Sequence, residues 1–175
     1  MPSVAANTPV IVGASQFTER IDDPDYAMLS PVAITARAAE LALADAGMIN
    51  CKEHIDTLMT TRIFEDSAPH LEGPFGRSAN FPRSVCKRLG MNPATAIWAT
   101  SGGDTPQKLV TEACDRIWQG ESKAVLISGG EALSTTRFLQ KQGSAVDWSE
   151  GSDEPVIDRK PTLDYATHDE LMNGL

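Results

Sequence analysis

The sequence predicts an α/β fold in which a mostly parallel β-sheet carries helices on both faces. Up to Gly130, short apolar runs alternate with stretches of helical periodicity in the order βαβαβαβ. Such alternation favours a parallel sheet, because a right-handed crossover lays each intervening helix against a face of the sheet. After Leu133 the sequence becomes polar and acidic. We therefore predict an N-terminal domain over residues 8–133 and the beginning of an incomplete loop domain over residues 134–175.

Two apolar runs and the helix between them predict the first part of the sheet. Residues 8–17, TPVIVGASQF, predict a buried first strand that continues into a loop. Ser30 and Pro31 are an N-cap and a first-turn proline, so a helix begins there, and it ends at Gly47. Residues 55–63 mix β-branched and apolar side chains, which predicts the second strand.

The second part of the sheet follows a long polar loop. Residues 64–80 are rich in Gly, Pro, Ser and charge, and loops of that length are often functional. Short apolar runs predict a third strand over residues 96–99 and a fourth over residues 124–127. Further helices are predicted over residues 81–89, 134–142 and 164–175.

A glycine-rich turn lies between the third strand and the central helix that follows it. Ser101-Gly102-Gly103 precedes Asp104 or Thr105, either of which can cap that helix. Backbone N–H groups and the helix dipole converge at such a turn, which favours a thiolate, an oxyanion or a phosphate. The glycines also suit an ordinary tight turn with close helix–strand packing, and these residues alone favour neither interpretation.

Charge and composition narrow the classes of function. The formal net charge is −9 and the pI is about 4.7. A nucleic-acid backbone binder needs a basic face, so this class is disfavoured, although a local basic pocket for one small anion is compatible with the composition. No apolar run approaches the roughly 20 residues that span a bilayer, and the N-terminus lacks the pattern of a secretory signal. We expect a cytoplasmic location with no nucleic-acid or membrane partner.

The cysteines and histidines follow no metal-site or triad pattern. Cys51, Cys86 and Cys114 are widely spaced and form no Cys-x-x-Cys motif, so no metal is expected. Free thiols in a reducing compartment are the simplest interpretation. Cys86 and Cys114 each fall on the apolar side of a predicted helix, and we predict that both are core residues.

The order of these segments resembles the N-terminal half of a thiolase. More narrowly, it is similar to the sterol-carrier-protein-type, thiolase-like branch that is often called acetyl-CoA acetyltransferase. The resemblance covers nearly the whole chain and rests on PVIVGASQF, the alanine-rich helix followed by IDTL, GGDTPQKLVTEACDRIWQG and KAVLISGGEALST. It implies a fold of two similar halves, a loop domain inserted in the first half, and acyl-CoA substrates with no separate cofactor. It also implies a homodimer or a partner subunit.

The resemblance places a departure at the position of the thiolase nucleophile. A thiolase carries a cysteine at the N-terminus of its central helix, where the helix lowers the pKa of the thiol. Counting back from Gly120 puts this position at Gly102 or Gly103, where no cysteine occurs. Ser101 is the nearest hydroxyl, but no adjacent base would activate it. The groups that the family draws from its second half are not in this sequence, so we expect the chain alone to be inactive as a thiolase.

The strand ends and the resemblance together give the candidate site residues. Ser101, Gly102 and Gly103 mark the nucleophile position. The candidates for substrate binding are Asp104, Thr105, His70, Glu131 and Arg137. The carboxylate of Glu131 also suits a role in satisfying backbone N–H groups of the next turn, and Arg137 suits a solvated helix face.

Three functions are consistent with the sequence. The first is an acyl-CoA-binding, thiolase-like protein of the acyltransferase type in which Gly102 and Gly103 replace the cysteine. The second is a non-catalytic or lyase-type subunit that acts with a partner protein. The third and weakest is a nucleotide-binding module that uses the glycine turn as a phosphate cradle, since no Gly-x-Gly-x-x-Gly follows the first predicted strand.

Overall fold

The computed structural model describes residues 5–48, 50–67 and 73–159 of the chain. The helices are α1 (Pro31–Asp45), α2 (Cys51–His54), α3 (Phe81–Leu89), α4 (Thr105–Gln119) and α5 (Leu133–Lys141). The strands are β1 (Thr57–Thr61), β2 (Thr95–Ala99), β3 (Val125–Ser128) and β4 (Ile157–Asp158), and a short 3-10 turn spans Phe64–Asp66.

The sheet is parallel, and its strands lie in the order β3-β1-β2-β4. β1 lies between β3 and β2, with Met59 opposite both Ile97 and Ile127. Met59, Ile97 and Leu58 have no exposed surface. A strand that is covered on both faces is rich in apolar and β-branched residues, as the sequences of β1, β2 and β3 are. The predicted parallel sheet is confirmed.

Helices cover both faces of this sheet. α1 and α3 pack together on one face, where Leu58, Trp98 and Leu126 contact them. α4 packs on the other face through Leu109 and Ala113, against Met59 and other strand residues. The predicted α/β class with helices on both faces is therefore confirmed.

Local capping residues set the ends of these helices as predicted. The Ser30 hydroxyl accepts a hydrogen bond from the Ala33 N–H at 3.2 Å, and Pro31 follows at the first helical position. Gly90 and Gly120 end α3 and α4 in the left-handed conformation, with φ of 68° and 76°. Glycine adopts this conformation without the steric cost that a side chain brings.

The prediction of a first strand over residues 8–17 is wrong in this structure. These residues form no part of the sheet, and β3 is its edge strand on that side. Val10, Ile11 and Val12 are 69%, 84% and 61% exposed. We call residues 9–15 the strap, because they cross this edge of the sheet from α4 to α1.

Hydrogen bonds to helix groups explain why the strap lies outside the ladder. They are Asn7 Nδ2 to the Trp118 carbonyl (2.5 Å), the Ala14 N–H to the Asp45 carboxylate (2.9 Å) and Ser15 Oγ to the Ala38 carbonyl (2.5 Å). Asn7, which precedes the strap, is thus attached to α4, and the far end of the strap is attached to α1 on the other face of the sheet.

The polar C-terminal part of the chain contributes one predicted helix and one unpredicted strand. α5 confirms the helix predicted over residues 134–142. β4 is only two residues long and pairs with β2. A strand this short has no sequence periodicity from which it could be predicted. The helix predicted over residues 164–175 lies outside the described residues, and the division at residues 133 and 134 stays a prediction. In the described part of the chain, no helix is both long enough and apolar enough to cross a membrane.

The doubly covered centre of the sheet should dominate stability. Ile97→Ala removes a fully buried side chain, and we expect it to lower the free energy of unfolding by about 2–5 kcal/mol. Urea denaturation followed by circular dichroism measures this change. Ile21→Ala, at a site that is 38% exposed, is the control. Equal losses for both variants would contradict this description of the core.

Candidate functional site

The candidate site lies at the carboxyl edge of the sheet. Because β1, β2 and β3 are parallel, residues 62–66, 100–104 and 129–131 all follow strand ends at this same edge. Ligands of open parallel sheets bind at this edge. β1 separates the ends of β2 and β3, so the segments that follow those two strands are about 10 Å apart.

The glycine turn, residues 101–104, leads from β2 into α4. The Thr105 N–H donates to the Gly102 carbonyl at 3.1 Å, and α4 begins there with no side-chain cap. Asp104 occupies the N-cap position, but its carboxylate forms an ion pair with Lys108 at 2.6 Å. This hydrogen bond to Lys108 lowers the pKa of Asp104. The Lys108 ammonium group therefore balances the charge of the Asp104 carboxylate, and the positive end of the helix dipole remains able to attract an anionic ligand.

The thiols are not placed to serve as a nucleophile at this turn. Cys86 is buried as predicted, and burial raises the pKa of its thiol to about 11. Cys51 is also buried. Cys114 is only half-buried, so the prediction that it is a core residue is wrong, and it lines a cavity beside α4. Among the described residues, no group of three His, Cys, Asp or Glu side chains could hold a metal ion.

A buried arginine is the unexpected feature at the end of β1. Arg62 is 8% exposed, and its guanidinium lies 3.9 Å from the centre of the Trp98 ring. Its Nη2 also donates to the Asp158 carboxylate on β4. Burial lowers the pKa of Arg62, and the charges of Asp158 and Asp66 oppose this effect. The arginine therefore joins β1, β2 and β4 at the carboxyl edge.

Three carboxyl groups lie close together beside this arginine, and we call Glu65, Asp66 and Glu131 the carboxyl cluster. Glu131 Oε1 accepts a hydrogen bond from the Phe64 N–H at 2.6 Å, and Arg77 donates to Asp66 at 3.4 Å. The pKa of all three carboxyl groups is raised, with desolvation as the largest cause. For Glu131, the Phe64 N–H opposes the rise, whereas the charges of the other two add to it.

Several buried polar atoms at this edge have no hydrogen-bond partner among the described residues. They are Arg62 Nε, Asp66 Oδ2, Trp98 Nε1 and Ser128 Oγ. An unpaired buried polar group costs about 1–3 kcal/mol of stability.

The structure brings part of the predicted site together. Ser101, Gly102, Gly103, Asp104 and Thr105 form one turn at the start of α4, and Glu131 reaches the segment after β1. Arg137 is exposed on α5, and His70 lies outside the described residues. Functional roles for these residues stay predictions.

Sequence reasoning missed Arg62, Asp66 and Asp158. Arg62 directly follows β1 and could have been found as a charged residue at a strand end. Asp158 gave no such indication, because the pairing of β4 with β2 is long-range. Asp66 was included in the long polar loop, where its burial could not be inferred.

The Arg62–Asp158 pair should contribute strongly to stability. Arg62→Met leaves the Asp158 carboxylate, whose side chain is 29% exposed, without its partner, and we expect a loss of about 1–3 kcal/mol in the free energy of unfolding. Adding Asp158→Asn should recover part of this loss, because no charge is then left unpaired. Arg37→Met breaks the exposed pair with Glu40 and should cost less than about 1 kcal/mol. Urea denaturation measures all of these changes, and similar losses for Arg62→Met and Arg37→Met would contradict the account.

The carboxyl cluster should make stability depend on pH. The pKa of Glu131 is raised in the folded chain, so the folded state holds this proton more tightly than the unfolded state does. Stability contributed at this site is therefore present at low pH and is lost as pH rises above about 4. Glu131→Gln removes the titration but keeps an oxygen acceptor for Phe64.

We therefore expect the stability of Glu131→Gln, relative to the unaltered chain, to increase as pH rises from about 4 to 7. Urea denaturation at a series of pH values measures this trend. Glu53→Gln, on the exposed surface of α2, controls for the loss of one negative charge. A flat difference for Glu131→Gln, or the same trend in both variants, would rule out the carboxyl cluster as the cause.

Comparison with known proteins agrees with the geometry of this edge. No family model matches the sequence, and no curated protein matches it. The structure is similar to that of a monomeric SCP2-thiolase-like protein type 1 from Mycobacterium smegmatis, with 38% sequence identity and a TM-score of 0.58. The match covers 71% of this chain and 24% of that protein, so the chain spans about a quarter of the length of its relative. The chain therefore has the thiolase-like fold of SCP2-thiolase-like proteins, as its sequence predicts.

Proposed function

We propose that the chain is part of an acyl-CoA-binding, thiolase-like protein whose nucleophile position lacks a thiol. The observation that carries this proposal is the glycine turn at the start of α4, in a chain 38% identical to an SCP2-thiolase-like protein over the matched region. Gly102 and Gly103 lie in the turn that immediately precedes the helix that would carry the nucleophile.

The physical case for an anionic ligand rests on α4. This helix is 15 residues long, and its N-terminus has no side-chain cap. A helix N-terminus attracts negative charge and polarises a carbonyl oxygen that approaches it. A thioester carbonyl and a CoA phosphate both fit this description. Gly103 has open space where a side chain would begin, so a ligand can approach the backbone closely.

The absence of a thiol at the turn limits the chemistry that we propose. Ser101 has no base in a position to activate it among its described hydrogen bonds, and the buried Cys86 thiol stays protonated at neutral pH because its pKa is about 11. A thiolase nucleophile must instead be a thiolate. We propose that the turn binds the acyl group without forming a covalent thioester.

A lyase-type or partner-dependent role is the second candidate, and the carboxyl cluster favours it. The pKa of Glu131 is raised, with desolvation as the largest cause, and this carboxyl group lies across β1 from the glycine turn. A carboxyl group that holds its proton more tightly suits general acid–base chemistry. On α4, Val110 is 39% exposed and Trp118 is 56% exposed. Exposed apolar side chains of this kind suit contact with a second copy of the chain or with a partner subunit. The relative from Mycobacterium smegmatis is described as monomeric, so the assembly of this protein is itself a proposal.

Charge at the glycine turn should control acyl-CoA binding. Gly103→Glu adds a negative charge without a steric clash, and we expect it to weaken acetyl-CoA binding by about fivefold, equivalent to about 1 kcal/mol. Gly103→Gln is nearly isosteric and neutral, and its affinity should stay close to that of the unaltered chain. Isothermal titration calorimetry gives both affinities, and equal weakening by the two variants would argue against an anion site at this helix end.

Covalent chemistry provides a separate test. After incubation with acetyl-CoA, intact-mass spectrometry should show no acetyl adduct on the chain. Gly103→Cys places a thiol at the helix N-terminus, where its pKa falls. Its thiolate should take the acetyl group from acetyl-CoA and release CoA as a thiol, which gives a thioester adduct that hydroxylamine removes. An adduct on residues 101–104 of the unaltered chain would contradict the proposal that binding is non-covalent.

A further inference from the structure

An exposed aromatic side chain lies at the carboxyl edge of the sheet, just after β1. Phe64 is 56% exposed, although Arg62 and Ile63, which precede it, are both buried. Single exposed apolar side chains are common on protein surfaces, so this exposure alone indicates no role. At Phe64 two further features indicate one: its backbone is fixed by hydrogen bonds, and it lies between the segments of the candidate site.

Hydrogen bonds hold both backbone groups of Phe64. Its N–H donates to Glu131 Oε1 at 2.6 Å. Its carbonyl accepts from the Ser67 N–H at 3.1 Å and from the Ser67 hydroxyl at 2.6 Å. The main chain at this residue is therefore ordered before any ligand arrives, which lowers the entropy that is lost when a ligand packs against the ring.

The register of the sheet places Phe64 beside the glycine turn. Thr61 of β1 lies opposite Ala99 of β2, and the Arg62 N–H continues this pairing by donating to the Ala99 carbonyl at 3.2 Å. Phe64 and Gly102 each come three residues after this pair. Because paired strands are about 5 Å apart, Phe64 lies about one strand spacing from the turn. The segment that follows β3 lies on its other side.

The charges at this edge determine which end of a CoA thioester can extend toward Phe64. Such a ligand is anionic at its phosphate end and uncharged at its acyl end. Arg77 pairs with Asp66, which leaves Glu65 and Glu131 without a salt bridge among the described residues. Carboxylates repel phosphate groups, so the CoA portion cannot lie over the carboxyl cluster. The acyl end is the part that can extend from the glycine turn toward Phe64.

A second exposed apolar side chain follows β3 at the same edge. Leu133 begins α5, two residues after Glu131, and is 38% exposed. At the glycine turn, Gly103 has open space where a side chain would begin, so a ligand can pass close to the backbone there. An apolar chain that leaves the turn and lies over Phe64 toward Leu133 removes apolar surface of both protein and ligand from water.

We propose that Phe64, together with Leu133, is the surface that contacts the acyl chain, and that it makes the site prefer apolar acyl chains longer than acetyl. The inference rests on the proposed binding of acyl-CoA and adds an orientation to it. The thioester carbonyl lies at the glycine turn, the acyl chain lies over Phe64, and the CoA portion extends away from the carboxyl cluster.

Isothermal titration calorimetry with CoA, acetyl-CoA and hexanoyl-CoA tests this surface. We expect the unaltered chain to bind hexanoyl-CoA about tenfold more tightly than acetyl-CoA, because hexanoyl adds four methylene groups and a surface contact buries only part of each. Phe64→Ala should reduce this preference to about threefold or less, since most of the apolar contact is lost. The same variant should change the affinities for CoA and acetyl-CoA by less than about twofold, because neither ligand reaches the ring.

Two variants and one further measurement serve as controls. Trp118 is also 56% exposed but lies near the other end of α4, so Trp118→Ala should keep the full preference for hexanoyl-CoA. Phe64→Leu keeps an apolar side chain and should retain most of it. Far-UV circular dichroism checks that each variant is folded. Nuclear Overhauser effects between the hexanoyl methyl group and the Phe64 ring test the same contact in the unaltered chain, without any substitution.

Three results would overturn this inference while leaving acyl-CoA binding intact. The first is equal affinity of the unaltered chain for acetyl-CoA and hexanoyl-CoA. The second is an undiminished preference for hexanoyl-CoA in Phe64→Ala, which means that the acyl chain binds elsewhere. The third is equal weakening of all three ligands by Phe64→Ala, which means that the ring contacts the CoA portion. If none of the three ligands binds the unaltered chain, the proposed function fails and this inference fails with it.

Discussion

The pairing of β1 with β2 on one side and with β3 on the other is the interaction on which the rest of the structure depends. This central strand has no exposed side chain at Leu58 or Met59, because α1 and α3 cover one face and α4 covers the other. The parallel pairing brings the segments after three strands to a single edge. The glycine turn, Arg62 and Glu131 therefore lie at the same edge of the sheet because this strand is buried between its neighbours.

Two opposite electrostatic environments lie side by side at that edge. The start of α4 presents helix N–H groups and a neutralised Asp104–Lys108 pair, which favours an anionic or carbonyl ligand. The carboxyl cluster follows β1 and β3, and its pKa values are raised because desolvation disfavours the charged forms, with repulsion from neighbouring carboxylates adding for Glu65 and Glu131. The glycine turn, where we propose that a thioester binds, and Glu131 are thus separated by about two strand spacings, or about 10 Å.

The sequence predicts the helices and strands that are determined by neighbouring residues in the chain. Ser30-Pro31 and Gly120 mark helix ends through capping and backbone conformation, and the apolar runs of β1, β2 and β3 reflect burial on both faces. Long-range contacts were not predictable in this way. Asp158 pairs with Arg62 only because β4 joins β2. Val10-Ile11-Val12 has the composition of a strand, yet in this structure hydrogen bonds to α1 and α4 hold its flanks outside the ladder. The resemblance to thiolases drew attention to the glycine turn, whereas Arg62 and Asp66 were identified only because the structure shows that both are buried.

The central claim is that an acyl-CoA ligand binds at the carboxyl edge of the sheet, against the start of α4. A titration of the isotopically labelled chain with acetyl-CoA, followed by two-dimensional NMR, locates the ligand directly. The account predicts amide shift changes centred on residues 101–108, with smaller changes at residues 62–66 and 129–131. Shift changes confined to the opposite edge of the sheet, or none at millimolar acetyl-CoA, would contradict it.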